Sequence, residues 1–82
     1  MQAVVLTQPP IIDVIVDKNT FYFADNYKTK FDRSELRQAV KAHSQIQCPG
    51  HSLEIVFRHR KSKKITAISV YRNGMHLRGA KI

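Results

Sequence analysis

From residue 55 to the end of the chain there is no aspartate and no glutamate. That absence decides the electrostatics, because the same 28 residues hold Arg58, Arg60, Lys61, Lys63, Lys64, Arg72, Arg78 and Lys81. Before residue 55 six acids balance six bases, so the whole net charge of +8 lies in the last third. A segregated field of this kind attracts polyanions and steers their approach. Cysteine is nearly missing too. Cys48 stands alone, which excludes an internal disulfide framework and fits a reducing cytosol. No apolar run approaches the roughly 20 residues needed to span a bilayer. The N-terminal stretch has no basic n-region and Pro9-Pro10 interrupts its apolar residues, so no signal peptide is expected. The expectation is a soluble, cytoplasmic protein.

Motifs of catalysis and cofactor binding are absent as well. Four histidines and a cysteine (His43, Cys48, His51, His59, His76) raise the question of zinc, yet only Cys48 and His51 have ligand spacing, where a site needs two such pairs. No base is identifiable for Cys48 as a nucleophile. No metal and no cofactor are therefore expected.

What is present is enough for one small domain. Eighty-two residues, 43% of them apolar, bury about two thirds of their unfolded surface and leave no room for a deep enclosed cavity. Residues 3–7 (AVVLT) suggest a short strand, and 11–16 with 20–24 suggest a hairpin across Asp17-Lys18-Asn19. Residues 25–30 read as a polar connection. Asp32 and Glu35 form a capping box, Phe31 and Leu36 the hydrophobic staple over it. Leu36, Ala39, Val40 and His43 then mark one face of a helix ending near Ser44 or Gln45, ahead of Cys48-Pro49-Gly50. Beside that face Arg33, Arg37 and Lys41 make a basic row of the solvated kind. Three strands follow, at 52–58, 64–72 and 75–80, with Asn73-Gly74 as a type I′ turn. The expectation is an α+β single domain over 1–82, an antiparallel sheet in ββ-α-βββ order with one helix on one face.

The Asn73-Gly74 turn sets Arg72 opposite Met75, Tyr71 opposite His76, Val70 opposite Leu77 and Ser69 opposite Arg78. A four-residue loop, Arg60–Lys63, sets Ile55 opposite Ile68 and Leu53 opposite Val70. This register places Leu53, Ile55, Phe57, Ile68, Val70 and Leu77 beneath the helix. Glu54, Val56, Arg58, Ser69, Tyr71, His76 and Arg78 fall on the open face.

An aromatic ring and two guanidinium groups on an open sheet, beside a basic loop, suit a nucleic acid: arginine forks to phosphate, lysine for charge, Tyr71 to stack on bases. A solvated hairpin tip needs one or two lysines to keep it from edge-to-edge aggregation. Five basic residues in the seven from Arg58 exceed that need. The interface expected from the sequence comprises Lys28, Lys30, Arg58, Arg60, Lys61, Lys63, Lys64, Tyr71, Arg72, His76, Arg78 and Lys81, with Tyr27 beside the first two. The favoured function is a non-enzymatic DNA- or RNA-binding protein, of the sort found among phage or plasmid regulators and replication or recombination accessory factors. An inhibitor or adaptor docking its basic face on an acidic protein comes second. A toxin-like ribonuclease drawing on His59, Tyr71, His76 and Arg78 comes third.

Overall fold

A computed structural model describes residues 10–82. The strand expected over 3–7 lies outside the described residues. One helix packs on one face of a six-stranded sheet, as expected for the α+β class. The strands are β1 (Ile11–Asp17), β2 (Thr20–Phe23), β3 (Asn26–Phe31), β4 (Ser52–His59), β5 (Ile65–Arg72) and β6 (Met75–Gly79), with helix α1 (Arg33–Ile46) between β3 and β4. Their spatial order is β3-β2-β1-β4-β5-β6.

Two features refine the expected sheet. The polar connection at 25–30 is largely strand β3, an edge strand whose residues 26–30 are all exposed. A strand with no buried face carries no apolar alternation, so its sequence looks like a loop. The centre of the sheet is also not antiparallel throughout. β1 pairs with β4 in parallel, joining two meanders into one mixed sheet.

The helix starts as its sequence demands. Asp32 Oδ1 accepts from the Glu35 backbone N–H at 2.7 Å, and Glu35 Oε1 accepts from the Asp32 N–H at 2.8 Å. A cap of this kind stabilises a helix by about 1 kcal/mol. Leu36 and Val40 are fully buried against Val14, Phe21, Leu53, Ile55, Phe57, Tyr71 and Ile82. Each contributes about 1.5–3 kcal/mol from burial.

Both expected turns exist, and both strand pairs start in the expected register. Arg58 lies opposite Ile65, Arg72 opposite Met75 and Tyr71 opposite His76. Asn73 and Gly74 have φ of 51° and 83°, the two positive values of a type I′ turn. A β-bulge then interrupts each pair. On β5, Thr66 is the extra residue, so that Phe57 meets Ala67 and Ile55 meets Ser69. Thr66 Oγ1 donates to the Phe57 carbonyl at 3.3 Å across the irregularity. On β6, Leu77 is the extra residue, so that Val70 meets Arg78 and Ser69 meets Gly79. Gly79 is required here. Its φ is +84°, and a Cβ would stand 2.2 Å from the Ile68 carbonyl oxygen.

One extra residue exchanges the two faces of a strand. The Thr66 bulge therefore corrects the expected faces. Ser69 and Tyr71 are buried beneath the helix, at 0% and 2% exposure, not on the open face. Ile68 and Val70 turn to the face away from the helix, where Val70 is still buried at 4% exposure, while Ile68 and Leu77 stand 42% and 49% exposed instead of in the core. His76 follows its partner Tyr71 to the helix side. Leu53, Ile55 and Phe57 are core as expected, and Glu54, Val56, Arg58 and Arg78 keep the open face.

Candidate nucleic-acid interface

Strand directions decide which cations gather. β1 and β4 run the same way, so the β1–β2 turn and the β4–β5 loop leave the sheet at one end. The Arg60 N–H donates to the Val16 carbonyl at 3.1 Å and locks them side by side. Lys18, in the turn at φ 58°, thereby shares a surface depression with Asp17, His59, Arg60 and Lys61. On the helix side of this end a shallow pocket with an apolar floor (Val16, Phe21, Phe57, Ile82) is rimmed by Lys18, Arg33 and Lys81. Lys18 and Arg33 were not among the expected interface residues. The neutral charge balance of residues 1–54 hides them, and only the parallel β1–β4 pair brings Lys18 to the loop.

The loop itself is ordered by a histidine. His59 Nδ1 accepts from the backbone N–H groups of Lys61 and Ser62 at 3.2 and 3.4 Å, so in the neutral ring the proton sits on Nε2. The His59 N–H donates to the Lys64 carbonyl and the Lys63 N–H to the His59 carbonyl, both at 2.9 Å. Lys63 takes φ 62°. The result is a tight turn whose lysine side chains face solvent.

Two of the expected interface residues are ion-paired. Arg58 Nε lies 3.4 Å from Asp13 Oδ1, and its NH1 donates to the Lys63 carbonyl at 3.0 Å. Arg60 lies 3.7 Å from Asp17. Arg58 thus buttresses the loop from the open face. Among the described residues, no carboxylate lies within 4 Å of Lys18, Lys61, Lys63 or Lys64.

The remaining expected residues are dispersed. Lys28 and Lys30 lie on β3, at the opposite edge of the sheet from β6. Lys30 sits 5.7 Å over the Tyr22 ring, and Tyr27, 64% exposed, packs edge-on against Tyr22. Arg72 and Arg78 are exposed at β5 and β6. Tyr71 and His76 keep their cross-strand pairing, with ring centroids 5.5 Å apart, but they lie near the Asn73-Gly74 end and beneath α1. There they line a groove with Arg37, Lys41 and Lys81. Burial pushes the Tyr71 phenol up, and the nearby Arg37 guanidinium pulls part of the way back.

Tyr71 therefore offers no stacking face, and the four residues considered for ribonuclease chemistry are not brought together. His59 stands at one end of β5 and the Tyr71–His76 pair near the other, roughly 20 Å away at about 3.3 Å per residue. Among the described residues, no three His, Cys, Asp or Glu side chains cluster as a metal would require. None of the described helices is long and apolar enough to cross a membrane. Comparison with protein-family models, curated proteins and solved structures returned no match.

Proposed function

We propose that the protein binds nucleic acid, without catalysis, through the sheet end formed by the β1–β2 turn and the β4–β5 loop. The observation that supports this reading is that Lys18 and Lys61 share one depression with a single acid, Asp17, which Arg60 already engages, and that Lys63 and Lys64 follow in the same exposed loop. Flexible lysines free of carboxylates suit phosphate contacts, which position a strand without reading its bases. Tyr71 is buried and lies near the other end of the sheet, so it supplies no base-stacking platform here. Binding is then dominated by phosphate contacts, is tolerant of sequence, and falls steeply with salt.

A mobility-shift panel of single- and double-stranded DNA and RNA at several salt concentrations tests this. Replacing Lys61, Lys63 and Lys64 with alanine should weaken every complex. On duplex DNA it should flatten the log–log salt dependence by up to about three, at roughly 0.9 for each phosphate no longer neutralised. Tyr71→Phe should leave binding unchanged. Equal affinity and slope in parent and triple variant would reduce the loop to a solvated tip.

A second reading, an adaptor for an acidic protein, is favoured by the open sheet face. Ile65 and Ile68 are 52% and 42% exposed there, between Arg58 and Arg78. An apolar patch with a cationic rim is a common protein-binding surface. Ile68→Ser would abolish such an interaction and leave the salt slope on DNA intact.

A further inference from the structure

The groove between α1 and β6 has a composition that the loop reading does not use. Its volume is about 240 Å³, and among the described residues no aspartate or glutamate side chain lines it. Arg37 and Lys41, one helical turn apart on α1, face Lys81 and His76 across it. Two of the three residues in the row that its sequence marks as solvated thus form one wall of a concave site. The Arg37 Nε donates to the Ile82 main-chain oxygen at 3.1 Å, and among the described residues its terminal nitrogens have no hydrogen-bond partner. His76 supplies a second, independent sign. Among the described residues its buried Nε2 has no hydrogen-bond partner, a condition that native proteins rarely leave unmet.

We propose that this groove binds a dianionic phosphate group, held by Arg37, Lys41, His76 and Lys81. Three cations and a ring nitrogen outnumber what one carboxylate could neutralise. A phosphate dianion accepts from the three cations directly and from the His76 Nε2–H once that ring turns toward the groove, and a guanidinium with two free nitrogens matches two of its oxygens at once. The group is either free inorganic phosphate or the phosphomonoester end of a nucleic acid.

Titration of the isotope-labelled protein with inorganic phosphate, followed by NMR, tests the site. Saturable shifts confined to Arg37, Lys41, Tyr71, His76 and Lys81 are expected. Dimethyl phosphate, a monoanionic diester, should bind at least about tenfold more weakly, as expected when it brings one charge and one acceptor fewer. Lys41→Gln with Lys81→Gln should weaken phosphate about tenfold or more. Both side chains are exposed, so the fold is retained. His76→Phe, which keeps a ring against Tyr71 and removes Nε2, should weaken it as well. A nucleoside 5′-monophosphate that binds tighter than phosphate assigns a nucleic-acid end, and equal binding assigns the free ion. Shifts spread over all lysines without saturation, or variants that bind like the parent, overturn the proposal. Such a failure leaves the loop reading standing, because that is read from the salt slope of the Lys61, Lys63 and Lys64 variant.

Discussion

Strand β5 is closed at both ends by turns, and the two turns are held by opposite means. At one end Asn73-Gly74 is tied to the rest of the molecule. The Gly74 N–H donates to the buried Ser44 hydroxyl of α1 at 3.0 Å, and Asn73 Oδ1 accepts from the Gly50 N–H at 2.7 Å. At the other end the Arg60–Lys64 loop is tied mainly to itself, through the His59 ring and the Ser62 hydroxyl. Its outside links are the Val16 carbonyl and the exposed Arg58 and Arg60 ion pairs, each contributing at most about 1 kcal/mol. One end holds hairpin, helix and Cys48 turn in place. The other presents charge on a frame that the core does not depend on. A molecule this small can keep a repulsive cluster of lysines only where removing them costs the fold little.

The largest effect expected from this contrast is on stability. Ser44→Ala leaves the buried Gly74 N–H without an acceptor and should cost about 1–3 kcal/mol. For a domain of this size, each kcal/mol lowers Tm by roughly 4–8 °C. Alanine at Lys61, Lys63 and Lys64 together should change stability by no more than about 0.5 kcal/mol, as is usual for exposed positions. Thermal melts of the two proteins make the comparison directly. Should the loop variant melt as low as the Ser44 variant, the division between a structural and a presenting end fails.

How much of this was legible in the sequence follows from how local each signal is. The capping box and the type I′ turn involve residues within three positions of one another, and both are found where their residue types put them. The bulges at Thr66 and Leu77 carry no such mark. Both residues continue an acceptable strand, and what selects the bulge is the core, which takes Tyr71 and Ser69 under α1 and leaves Ile68 outside. Tertiary packing overrode a plausible alternation. The consequences were large for the site: Tyr71 and His76 moved from the open face into the groove, while the lysine loop, set by sequence position alone, stayed where it was expected. Lys18, Arg37 and Lys41 could not be assigned without the fold, since their relevance comes from neighbours distant in the chain.

A smaller effect is expected where the loop is organised. His59→Ala removes the acceptor for two exposed backbone N–H groups at the long end of hydrogen-bond distance, and water replaces it. The cost should stay below about 1 kcal/mol. Amide exchange at Lys61 and Ser62 should quicken while exchange at Gly74 is unaltered. Nucleic-acid affinity should fall by a few fold with the salt slope retained, because the charges remain and only their arrangement loosens. A change in Gly74 exchange would mean that the two ends are coupled through β5.

The smallest effect at neutral pH belongs to Tyr71, and it becomes visible only in alkali. Its phenol titrates above the ordinary value of 10.0 in the folded protein, chiefly because burial disfavours the phenolate, with Arg37 acting the other way. Below pH 10 the phenol is protonated in both folded and unfolded chains, so its contribution to stability is complete there. Above pH 10 the unfolded chain releases its proton first, and that contribution is lost as pH rises through the folded value. Lysines titrate in the same range, so the parent alone cannot isolate the effect. Tyr71→Phe keeps the ring against His76 and removes the titrating group. The stability difference between parent and variant should therefore be constant from pH 7 to about 9 and move in favour of the variant above about 10. A difference that stays flat through pH 11 would mean that the phenol is no harder to ionise in the groove than in water. The Asn73-Gly74 end would then be wetter than its hydrogen bonds to α1 imply, and closer in character to the loop end.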